Sequence, residues 1–108
     1  GDVYKRQIPR MADTAQQMAK DILDAFVNRD VELAKRTCEA DDAVDKLYAD
    51  LYEELVGFAT NGKDPYTVNQ SINLLFVARH LERIADHATN VGERVIYMVT
   101  GDRSFSHS

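Results

Sequence analysis

The chain has 108 residues, 44% of them hydrophobic and 29% charged, the make-up of one globular domain with a modest core. Eighteen acids against thirteen bases leave a net charge of −5, which argues against a general nucleic-acid binder and a purely electrostatic membrane anchor, since both need a basic face. A lone cysteine, Cys38, excludes an internal disulfide, no apolar run reaches the roughly 18–20 residues of a membrane span, and no signal peptide is visible, so a cytoplasmic location is expected.

Gly1–Gln7 reads GDVYKRQ and shows no periodicity continuous with the residues from Ile8 onward. Its DVYKRQ string resembles the translated end of a transposon adapter from a sequencing library. Residues 1–7 are therefore expected to be non-native, ahead of a helical bundle over 8–102 and a disordered tail over 103–108. The first helical block is expected from about Pro9 to Asn28. Met11, Ala15, Met18, Ile22 and Ala25 recur there at steps of four and three, a narrow apolar stripe. Arg29 and Asp30 break it, and Asp30 suits the N-cap of the next helix.

The second block is expected from Val31 to about Thr60. Its stripe is Ala34, Thr37, Asp41, Val44, Tyr48, Leu51, Leu55 and Phe58. Asn61-Gly62 should stop it through a left-handed backbone. Asp64-Pro65 opens the third block with a cap and a first-turn proline. That block should run to about Val99 and end at Gly101. Its expected seam is Leu74, Ala78, Leu81, Ala85, Ala88, Val91 and Val95, with small residues that let a neighbour approach closely. No strand pattern interrupts these blocks. Short connections make neighbours antiparallel, so the expected fold is all-α, an elongated antiparallel three-helix bundle.

The carboxylates do not fit a plain bundle. Asp41 stands where a core residue is expected, with Asp42 beside it and Asp45 four residues on. In the third block Glu82, Asp86, Asn90 and Glu93 follow at steps of four, four and three. Relative to Glu82 they lie about 40°, 80° and 20° round the helix, so all four share a flank beside the seam. Like charges four apart repel, and partial burial raises the cost. Two readings stay open: a solvated charged face with ion pairs such as Arg79 to Glu82, or a site for a hard cation such as Mg²⁺, Mn²⁺, Ca²⁺ or iron, with Zn²⁺ also possible. His80 and His87 point away from this flank, and His107 lies in the tail. Cys38 reads as a small buried residue, and Tyr48, Tyr52, Phe58 and Phe76 as core or interface packing. No acid of the helices is followed at the third position by His, so a carboxylate-bridged di-iron enzyme is not supported. No Gly-rich phosphate loop or nucleophile triad is present either. What these residues alone support is a helical interaction module or a metal-binding bundle.

The string ARHLERIADHATNVGERVIYMVTG, Ala78 to Gly101, closely resembles the signature of PhoU proteins, bacterial regulators of phosphate uptake and signalling. DDAVDKLYADLYEEL (Asp41 to Leu55) resembles the preceding helix of the same repeat, and DAFVNRDVELA (Asp24 to Ala34) its first corner. The resemblance covers about Arg10 to Asp102 and implies one three-helix repeat of a tandem pair, the C-terminal one. It implies that two acidic motifs, Asp41/Asp45 and Glu82/Asp86, hold an iron or zinc cluster, with Asn90 and Glu93 extending the site. It further implies a non-enzymatic negative regulator that couples the ATPase of the phosphate transporter to a sensor histidine kinase. That regulator would act at the inner membrane face without spanning it, as a homodimer in its full-length form.

Overall fold

The structure is a computed structural model and describes residues 3–103. Three helices follow in chain order: α1 (Val3–Asn28), α2 (Val31–Asn61) and α3 (Pro65–Thr100). They form an elongated all-helical bundle of 55 × 22 × 16 Å. Its length is that of α3, since 36 residues rise about 54 Å at roughly 1.5 Å each. The antiparallel order shows in the contacts. Tyr4 at the start of α1 meets Phe58 near the end of α2, edge to face at 6.1 Å between ring centroids. No helix among the described residues is long and apolar enough to cross a membrane.

Each helix begins and ends for local reasons. Asp30 caps α2 by accepting from the Leu33 amide at 3.0 Å, which satisfies one of the free N–H groups of the first turn. Asp64 does the same for α3: it accepts from the Thr67 amide at 2.8 Å and from the Thr67 hydroxyl at 2.9 Å. Those bonds favour the ionised form and lower the Asp64 pKa. Gly101 ends α3 in the left-handed region at φ 72°, as expected of a glycine there. The end of α2 differs from expectation, while α1 ends at Asn28 ahead of Arg29 and Asp30 as expected. Gly62 is extended at φ −65°, ψ 136°, so its glycine serves a close approach: a Cβ would sit 2.7 Å from the Phe58 carbonyl oxygen. The left-handed residue between α1 and α2 is Arg29, at φ 54°.

α1 starts earlier than its apolar stripe. It is helical from Val3, so Pro9 lies inside it, where its missing N–H interrupts the hydrogen-bond ladder. At the other end Arg103 lies against the Tyr97 ring, 4.4 Å from its centroid, and donates to the Tyr97 hydroxyl at 3.0 Å. Residues 1, 2 and 104–108, and so most of the expected tail and part of the expected non-native segment, lie outside the described residues.

The core runs the length of the bundle. Met11, Ala15, Met18, Ile22 and Ala25 of α1 are all buried, as their spacing predicts. So are Ala34, Thr37, Asp41, Val44, Leu51 and Leu55 of α2. On α3 the seam departs from expectation. Val91 is 40% exposed, and the buried positions are Ser71, Ala78, Ala85, Ala88, Thr89, Gly92, Val95 and Ile96. The two hydroxyls are accommodated within their own helix: Ser71 donates to the Thr67 carbonyl at 2.9 Å and Thr89 to the Ala85 carbonyl at 3.1 Å. Such back-bonding lets a Ser or Thr occupy a core position without an orphaned group.

Gly92 sets the tightest junction. A Cβ there would lie 2.6 Å from Cys38 Sγ, 3.0 Å from Ile22 Cδ1 and 3.4 Å from the Ala34 carbonyl oxygen. Glycine inside a helix costs roughly 1 kcal/mol relative to alanine, yet here the smaller residue is the one that fits. Gly92→Ala is therefore expected to destabilise the bundle by about 1–3 kcal/mol through overpacking. Cys38→Ala in the same chain should return part of that loss by removing the sulfur. Urea unfolding followed by circular dichroism on the two single variants and the double variant measures both effects.

Candidate functional site

The acidic flank lies where α2 runs against α3. Asp41 is buried at 4% exposure, one turn from the N-terminal part of α2 that faces Gly92. Asp45, one turn further, is exposed. On α3 Glu82 is half-buried, Asp86 and Asn90 are exposed, and Glu93 is half-buried. The helices therefore present these residues at different depths.

Their electrostatics divide them into two groups. Burial raises the Glu82 pKa, and the charges of Asp45 and then Asp86 add to the rise, opposed by Arg79. Arg79 reaches Glu82 at 3.7 Å as an i, i+3 pair, the ion pair anticipated from the sequence. The second group surrounds Cys38. Burial first, and then the charges of Glu93, Asp41 and Glu39, push its thiol up to about 11. The Cys38 thiol donates to the Thr89 carbonyl at 3.6 Å. A neutral buried thiol of this kind is a packing group, because nucleophiles and metal ligands are thiolates. The sequence pattern places Cys38 in the interior but does not show that it is the point where α2, Glu93 and Gly92 converge. The signal available is a glycine in the middle of a helical pattern, which marks close packing.

The expected iron or zinc cluster does not survive this geometry, and neither does a Mg²⁺ or Mn²⁺ site. Among the described residues no three His, Cys, Asp or Glu side chains come together closely enough to hold a metal ion. Carboxylates four apart on a helix are separated by about 6 Å of rise. One acid of the α2 pair turns into the core beside Cys38 while its neighbour points out toward Glu82. The two acidic motifs thus share a flank without forming one ligand set. His80 and His87 are both exposed.

The class defined by this fold and flank is an elongated antiparallel three-helix bundle with carboxylates along one interhelical face. The chain belongs to the PhoU family: the family model for the PhoU domain matches residues 8–95. Relatives described as "Phosphate-specific transport system accessory protein PhoU homolog" share its sequence. The one from Clostridium acetobutylicum is 42% identical over 100 residues, covering 93% of this chain and 44% of the relative. That from Caulobacter vibrioides is 40% identical over 97 residues, 90% of this chain and 41% of the relative. The Pseudomonas aeruginosa relative is 36% identical over 95 residues, 88% of this chain and 38% of the relative. The chain therefore spans less than half the length of these proteins.

The raised Glu82 pKa gives a pH prediction. A carboxyl whose folded pKa exceeds its unfolded value contributes stability that is complete below the unfolded pKa and lost as pH rises through the folded one. Glu82→Gln is therefore expected to raise the melting temperature at pH 7. The gain should vanish on acidification to about pH 4, near the ordinary Glu value. Thermal melts of both proteins across that range check the sign.

Proposed function

We propose that this chain is one repeat, the C-terminal one, of a non-enzymatic regulator of phosphate uptake and phosphate-starvation signalling. In this reading the full-length protein is a homodimer that holds the starvation response down when phosphate is plentiful. It links the ATPase subunit of the phosphate transporter to a sensor histidine kinase. It works in the cytoplasm, at the inner face of the membrane, and reaches the membrane through those partners. The observation that carries the reading is the family match over residues 8–95, joined by relatives whose shared description is that of phosphate-specific transport accessory proteins.

The exposed members of the acidic flank then take a binding role. Asp45, Asp86 and Asn90, with the half-buried Glu82 and Glu93, offer a partner a row of hydrogen-bond acceptors along α2 and α3. Carboxylates held at a mutual cost, as the raised Glu82 pKa indicates, gain from a basic partner surface that relieves the repulsion. Asp41 is too deep to touch a partner and serves to set the flank from beneath.

The test is retention of the purified transporter ATPase subunit, and separately of the kinase's cytoplasmic part, on the immobilised chain. Binding of at least one is expected. The charge reversals Asp45→Lys and Asp86→Lys together should weaken it tenfold or more, with helicity unchanged by circular dichroism. Failure of the unaltered chain to retain either partner would overturn the proposal. Retention that ignores the reversals would remove the acidic flank from it.

A further inference from the structure

The net charge of −5 is unevenly spread, and the acids of α1 and α3 keep to the side of each helix that faces α2. Near the start of the bundle α1 and α3 form a groove lined by Ile8 and Pro9 on one side and Gln70 and Leu74 on the other. That groove fixes which side of each helix faces the α1·α3 junction. Steps of seven residues stay on one side of a helix, drifting by only about 20° each. From Gln70 they lead to Val77, Ile84, Val91 and Met98, which are 40–47% exposed. Three residues on from the first three of these stand His80, His87 and Arg94, and one residue before them stand Phe76, Arg83 and Asn90. All six are exposed, and none is a carboxylate. The acids of α3, Glu82, Asp86 and Glu93, lie on the far flank, toward α2.

The same division holds on α1. Asp13 and Asp21 line a groove with Leu33, Arg36 and Ala40 of α2. Asp24, eleven residues on from Asp13, is only about 20° round the helix from it. Steps of seven from Pro9, in the α1·α3 groove, lead instead through Gln16 to Leu23, which is 63% exposed, with Val27 one turn further at 75%. The α1·α3 side of an acidic chain thus combines exposed apolar side chains with bases and without Asp or Glu.

What covers such a side must be apolar and negative together. No acid stands there to receive Arg83 and Arg94 from a second copy of the chain. The apolar side chains run in rows along α3, with the bases standing outside them. In a lipid interface apolar side chains of that kind reach the acyl boundary, while long basic ones extend to the headgroup phosphates. An anionic bilayer supplies both the apolar layer and the negative charge.

We propose that the α1·α3 side is a contact surface for an anionic lipid bilayer. Val77, Ile84, Val91 and Met98, with Leu23 and Val27 of α1, enter the headgroup boundary, and Arg83 and Arg94 hold lipid phosphates. The whole-chain charge argues against a purely electrostatic anchor, and this contact needs its apolar rows as much as its bases. It adds a contact of the chain's own to the route through protein partners. Its test contains lipid alone, so its failure leaves the partner-binding test untouched.

The test is flotation of the chain with vesicles of phosphatidylglycerol and phosphatidylcholine in equal parts, beside vesicles of phosphatidylcholine alone. The chain should float with the first and bind the second at least tenfold more weakly. Arg83→Glu with Arg94→Glu should weaken binding to the anionic vesicles tenfold or more. So should Ile84→Ser with Val91→Ser, which leaves the charge unchanged. Leu23→Ser with Val27→Ser makes the same test from the other helix and keeps the result interpretable if the α3 pair unfolds. Glu53→Gln, exposed on α2, should bind as the unaltered chain does, and circular dichroism should show the helices retained in every variant compared. An unaltered chain that stays behind when the anionic vesicles float would overturn the proposal and leave the face to a protein. Equal binding to both vesicles, or binding that survives the arginine changes or the apolar ones, would overturn it as well.

Discussion

At Gly92 the backbone of α3 comes so near α2 and α1 that there is no room for a methyl group. Cys38, Ala34 and Ile22 meet the glycine from the other two helices, and small residues at 78, 85 and 88 continue the close approach along α3. Interiors pack at crystal-like density, so the nearest approach between two helices fixes where the side chains around it must go. Because α2 sits this close, Asp41 is carried into the interior, Cys38 is sealed with its thiol protonated, and Glu82 loses part of its solvation. The acidic flank is a consequence of that spacing.

The same constraint explains why the flank is not a metal centre. A multinuclear site needs several carboxylates at one level and one depth, with their oxygens converging. Here the close junction draws Asp41 inward while Asp45 stays out with Glu82 and Asp86. What remains is a graded surface of acceptors whose mutual repulsion a basic partner would relieve. That is compatible with the contact role proposed for this flank.

Much of the fold is legible in the residues. The α1 stripe and both N-caps follow from spacing and from side chains that satisfy free amides, and these are local rules. The α3 seam departs from its pattern at Val91 because an aliphatic residue outranks glycine in any hydrophobic pattern, while only three-dimensional packing tells that Gly92 faces inward. Ser71 and Thr89 escape the pattern for a related reason: their hydroxyls bond back to their own helix, so polar residues occupy core positions at little cost. Helical periodicity puts Glu82, Asp86, Asn90 and Glu93 on one flank. It carries no information on which acids of α2 and α3 end near one another: Glu82 and Glu93 are both half-buried yet fall in different groups, and among the described residues no three metal-binding side chains converge.

Cys38 offers the most direct test of the close α2·α3 junction, because it is the chain's only thiol and lies beneath Gly92. Its reaction with a chromogenic disulfide reagent at pH 8 reads both the closure of the junction and the raised pKa. A closed junction predicts a rate at least a hundredfold below that of the unfolded chain in denaturant, since burial and a pKa near 11 both withhold the thiolate. A folded chain whose Cys38 reacts as fast as the unfolded one would contradict that closure.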